Sequence, residues 1–190
     1  MEEIKMTKKY LVMNTTDINV LKTNGRIYSA KNPAIEFNGV LGQVGALKEG
    51  ELEIRDFTPS TEADIKGKLP MITMAPEVPY DTAYFANTLL GNFRYHADLA
   101  FSVIQLAEGD TIELSADHIV KGEDLKVGAI VKQSIGGGYE AVETAPKSTE
   151  AKAYFKVVAV RPEAFYQAPF GTGIVAAPAG NMYMLELVLA

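Results

Sequence analysis

The chain has 190 residues, a net charge of −6 and a pI near 5.0, with 47% hydrophobic and 22% charged residues. That balance excludes wholesale disorder and can supply a substantial core, while an acidic surface opposes broad nucleic-acid binding. Cysteine is absent, which rules out disulfides, thiolate metal sites and cysteine catalysis.

Residues 1–9 are charged and aperiodic and read as a flexible arm, with Lys5, Lys8 and Lys9 as a basic cluster beside Glu2 and Glu3. No basic start is followed by an apolar run, so no signal peptide is expected, and folding in a cytoplasm is. No segment reaches the roughly 18 apolar residues of a membrane-spanning helix. Tyr10–Met13 is a short apolar run. Asn14, Asp17 and Asn19 then supply turn chemistry, as do Asn24-Gly25 and Asn32-Pro33.

Val40–Leu47 is apolar, with glycines that suit a bulge or a close backbone approach. Glu49-Gly50 turns, and Glu51–Phe57 alternates polar and apolar residues. That pattern predicts a half-buried strand with Leu52, Ile54 and Phe57 near the core. Pro59, Pro70, Pro76 and Pro79 make residues 58–92 a proline-rich connection, with one strand at Leu69–Met74 and a short helix at Asp81–Leu90.

Phe93–Gln105 alternates as a strand, and Thr111–Leu114, Val127–Lys132, Tyr139–Val142, Ala153–Val160 and Met182–Leu189 follow. Gly136-Gly137-Gly138 is a turn, and Pro146–Glu150 is a polar loop tip. Short strands at this spacing predict a mainly β fold: an antiparallel β-barrel or sandwich with an extended N-terminal arm and at most one or two short helices. The organisation expected is an arm and β region at 1–57, the connection at 58–92, and a barrel or sandwich domain at 93–190.

Few residues suggest chemistry. His96 and Asp98 share one strand face and offer two metal ligands, or else the polar face of a half-buried strand. Ser115, Asp117 and His118 hold nucleophile, acid and base types, but in one local run, where a turn or helix N-cap is the simpler reading. The pair Glu51 and Glu53 reads as the solvent side of a strand; Glu113 with Asp117 is a second carboxylate pair. Without tryptophan platforms neither suggests a glycosidase. No phosphate-cradling glycine loop and no nucleophile elbow occur, so no catalytic residue, metal or cofactor is assigned. Phe165, Tyr166 and Phe170 lie in a Gly/Pro-rich stretch and can anchor a neighbouring subunit or plug the barrel end.

From Phe93 onward the order of elements resembles the small virion structural proteins of tailed bacteriophages. It runs through Glu108–Ser115, Lys126–Val131, Gly138–Val142 and Ala153–Val158 to a last strand rich in Met, Leu and Val. The similarity is to capsid decoration or head-associated proteins. It implies an accessory protein of the virion that binds a shell of major capsid protein as a homo-oligomer, without direct contact to nucleic acid or membrane. Lys5, Lys8, Lys9, Phe165, Tyr166 and Phe170 are then the partner-contact candidates. The alternative is a β-rich module that binds a ligand or receptor, and beyond it a metal-dependent β-barrel enzyme using His96 and Asp98.

Overall fold

The computed structural model describes residues 13–19, 26–75, 99–162 and 181–190. Over these the chain is mainly β, in two curled sheets with one short α-helix, as the strand pattern predicts.

The first sheet is a closed five-stranded barrel. Its strands are β2 (Ile27–Lys31), β3 (Leu41–Leu47), β4 (Ile54–Pro59), β5 (Met71–Met74) and β6 (Phe101–Gln105), in the order β2-β4-β3-β5-β6. β2 lies parallel to β4, with Ser29 opposite Ile54, and antiparallel to β6, with Ile27 opposite Ile104. The barrel thus draws strands from all three stretches into which the sequence divides. Alternation decides which side chains enter it. Ala30, Val40, Phe57, Phe101 and Val103 form one buried cluster, while Leu41, Ile72 and Ile104 point out of the barrel into a second. Phe57 and Phe101 meet edge to face at 5.7 Å. Gly42 lies against Phe57, and a Cβ there would sit 2.2 Å from the Thr58 carbonyl oxygen and 2.4 Å from the Phe57 ring. This is the close backbone approach that the glycines of β3 suggest.

The second sheet has seven strands. It joins β1 (Met13–Asn19), β7 (Thr111–Ser115), β8 (Ile119–Val120), β9 (Ile130–Gln133), β10 (Tyr139–Val142), β11 (Ala153–Pro162) and β12 (Asn181–Leu189) in the order β1-β7-β12-β11-β9-β10-β8. β11 and β12 pair along their whole length, from Ala153 opposite Leu189 to Pro162 opposite Asn181, with a bulge between Val157 and Ala159. Phe155, Val157, Tyr183, Leu185 and Leu187 are fully buried. The turn expected at Asn14–Asn19 is instead strand, held by β7. β10 and β8 are parallel, the second exception to an otherwise antiparallel arrangement.

The two sheets share one core. Leu41, Ile72 and Ile104 of the barrel pack with Met13, Ile112, Leu114, Phe155 and Leu185 of the sheet. Backbone hydrogen bonds cross the seam: Leu41 donates to Gly137 O at 2.8 Å and Gly136 to Ser60 O at 2.9 Å. The helix α1 (Glu62–Gly67) also crosses it. Thr61 caps α1 in a reciprocal capping box with Asp64, Ile65 is buried, and the Ile65 carbonyl accepts from Lys152 N at 2.8 Å. The Glu62 carboxyl is held below its usual range by Lys66, and that of Asp64 by the Thr61 hydroxyl.

Two expectations at strand level change. Leu52 is 92% exposed, because β4 begins only at Ile54 and it is Phe57 that enters the barrel. Leu99 and Ala100 precede β6, which begins at Phe101, so the expected strand at Phe93–Gln105 covers only its last five residues among those described. The helix expected at Asp81–Leu90 lies outside the described residues.

Candidate interaction surface

The residues with catalytic chemistry come together only in part. β7 ends at Ser115, and a 3-10 turn at Ala116–His118 folds the imidazole back over it. Ser115 Oγ lies 3.2 Å from His118 Nδ1, and His118 Nε2 lies 3.1 Å from the Asn38 carbonyl oxygen. A carbonyl only accepts, so Nε2 carries the proton; in the neutral ring Nδ1 then accepts from the Ser115 hydroxyl. This is the pairing that activates a serine. Here, however, Ser115 is 1% exposed and the second ring nitrogen is spent on the barrel backbone. Ser115 makes no side-chain cap to the 3-10 turn. Phe37 meets the His118 ring edge-on at 5.9 Å. The arrangement spans the seam between barrel and sheet, with Asp117 exposed beside it.

Other buried polar groups also act across the seam. Asp110 is buried and pairs with Arg26, whose Nε donates to Gln105 O at 2.8 Å; Asp110 Oδ2 also accepts from Ala107 N at 2.8 Å. Tyr139 donates its hydroxyl to Gly39 O at 2.9 Å, and burial pushes the phenol well above its ordinary range. Within the sheet, Glu113 is buried and takes a bidentate grip from Arg161. It is therefore not half of a carboxylate pair with the exposed Asp117. Glu51 and Glu53 are exposed, but in the turn ahead of β4 and not on the solvent face of a strand, since Leu52 between them is exposed too. Among the described residues no group of His, Asp and Glu is placed to hold a metal, and no helix is long and apolar enough to cross a membrane. His96 and Asp98 lie outside them, as do Lys5, Lys8, Lys9, Phe165, Tyr166 and Phe170.

What remains for contact with a partner is the outer surface. Glu140 sits there between Lys132 at 3.0 Å and Lys121 at 3.2 Å, and the two ammonium groups hold its carboxyl below its usual range. Such a self-satisfied surface network offers little to a partner. Large apolar side chains are exposed at several points instead: Leu52 and Leu47 at the β3–β4 hairpin with Ile27 on β2 at the same end of the barrel, and elsewhere Val120 on β8, Val127 ahead of β9 and Ile135 in the β9–β10 turn. The hairpin is the most pronounced of these. Its turn is closed by hydrogen bonds from Lys48 N to Ile54 O at 2.9 Å and from Glu51 N to Lys48 O at 3.0 Å. Sequence reasoning passed over it because Leu52 continues the alternation of β4 and reads as core. The signal available was Glu49, Glu51 and Glu53 around a Gly50 turn, which places Leu52 on a tip. No family model, curated protein or solved structure matches this chain.

Proposed function

We propose that the chain is an accessory virion structural protein that binds and stabilises the shell of a tailed-bacteriophage capsid, acting as a homo-oligomer. The observation that carries this reading is a β body whose two sheets share one core and whose exposed large apolar side chains sit at separate loops and strand ends. Scattered points of this kind suit binding by many weak contacts repeated over a symmetric surface, where linked sites gain avidity without one tight contact. Lys5, Lys8 and Lys9 near the N-terminus and Phe165, Tyr166 and Phe170 between β11 and β12 are the further contact candidates of this reading. The resemblance of the order of elements from Phe93 onward to capsid decoration proteins supports the same reading, with the virion as the location it implies.

The test is co-sedimentation of purified protein with emptied, expanded heads of the phage that encodes it, together with the mass of the free protein in solution. Saturable binding at a fixed ratio to the major capsid protein is the expected result. Protein that stays in the supernatant at micromolar concentrations defeats the reading.

A further inference from the structure

We infer that the β3–β4 hairpin tip is a docking knob, with Leu52 entering an apolar pocket on the partner protein that is rimmed by lysine or arginine. This rests on the shell-binding reading above and names the surface and the chemistry it would use.

Three features carry the inference. The first is apolar exposure gathered at one end of the barrel. Leu52 is 92% exposed, Ile27 51% and Leu47 49%. Leu47 pairs with Arg55 on β4, and the parallel register that sets Ser29 opposite Ile54 runs back toward Ile27 and Leu52. The three positions therefore lie at the same end of neighbouring strands.

The second is rigidity. Gly50 takes φ 79°, the turn is hydrogen-bonded, and Lys48 lies 3.7 Å from Asp56 on β4. A knob already ordered on folding does not pay the entropy of ordering on contact.

The third is charge. Glu49, Glu51 and Glu53 are all exposed around Leu52, and Lys48, the one cation in the turn, faces Asp56. Three exposed carboxylates within three residues of an apolar tip repel phosphate and acidic surfaces and complement a cationic rim. Repeated over the subunits of a symmetric shell, such a contact is multiplied by avidity.

The experiment measures binding of four full-length proteins to emptied, expanded heads by co-sedimentation: wild type, Leu52→Ala, Leu52→Asp and Thr144→Asp. Thr144 is an exposed polar residue in the loop after β10, outside the exposed apolar points, and its variant controls for an added carboxylate. Far-UV circular dichroism and thermal melts check that each variant folds, as the exposure of Leu52 leads one to expect. Burying one leucine side chain corresponds to a roughly tenfold to hundredfold change in Kd. Leu52→Ala is therefore expected to weaken binding by about that factor, Leu52→Asp to abolish it, and Thr144→Asp to bind as wild type. If wild type binds and Leu52→Asp binds within about twofold of it, the knob is wrong and the shell-binding reading stands. If wild type itself does not bind, both fall. Sedimentation velocity of the free proteins distinguishes one further occupant: an oligomer of wild type that Leu52→Asp dissolves would assign the pocket to a second copy of this chain and overturn the inference.

Discussion

Gly137 tests the seam between barrel and sheet. It takes φ 84°, and a Cβ there would lie 2.4 Å from the Leu41 carbonyl oxygen and 2.6 Å from Val40 Cγ1. Gly136, its neighbour, takes φ 88° but has open space where its Cβ would be. Both alanine variants meet the left-handed backbone penalty, about 1–2 kcal/mol, and both gain the same small benefit from a stiffer unfolded chain. Only Gly137→Ala adds overpacking, about 1–3 kcal/mol, against a β3 backbone that is pinned on both sides. The shared terms cancel, so Gly137→Ala should lose about 1–3 kcal/mol more than Gly136→Ala. Urea unfolding followed by far-UV circular dichroism, analysed with a common slope, gives both values. The tyrosine near-UV signal should follow the same single transition, because Tyr139 and Tyr183 are buried in the core the two sheets share. Equal losses in the two variants would refute the close approach at Gly137, and two separated transitions would refute the shared core.

Arg26→Ala strips the guanidinium from Asp110 while the carboxylate stays buried, so a loss of about 3 kcal/mol is expected in the same unfolding assay; a loss under about 1 kcal/mol would show that the pair is marginal. Burial holds the folded pKa of Tyr139 well above the ordinary phenol value of about 10, so its contribution is complete below that pH and is lost as the unfolded chain ionises above it. Wild type should then lose about 1.4 kcal/mol per pH unit more than Tyr139→Phe does above pH 10, in paired urea titrations. Ser115→Ala leaves His118 Nδ1 without its serine and should cost about 1–3 kcal/mol, read by thermal melting. In a chromogenic ester assay wild type and Ser115→Ala should both stay at the buffer rate, and hydrolysis lost with the serine would reinstate it as a nucleophile.

Much of the strand content was legible because its signal is local. β7, β10, β11 and β12 each carry an apolar run or alternation bounded by glycine, proline or polar residues, and backbone geometry turns that pattern into strand without help from afar. The Asn32-Pro33 turn is equally local: Asn32 Oδ1 accepts from Ala34 N at 2.9 Å. The Ser115–His118 contact was half legible, since three residues separate its partners. Its other half was not, because the Asn38 carbonyl that occupies His118 Nε2 comes from 80 residues away. The helix α1 was hidden by the prolines on either side of it, although Thr61 and Asp64 spell its capping box.

By itself, then, the sequence determined that the chain is β-rich, cysteine-free and acidic, and it placed most strands after Phe101. Only the tertiary structure decided that the strands divide into a closed barrel and a seven-stranded sheet, and that Leu52 faces solvent. The reason is physical. Alternation says that a strand has two faces, but which face is buried depends on what pairs beside it and where pairing begins. The β2–β6 pairing that closes the barrel joins Ile27 to Ile104, a contact with no local signature in either segment. It forms because closure removes both free edges and because the outer face of β6 completes the core beneath the sheet.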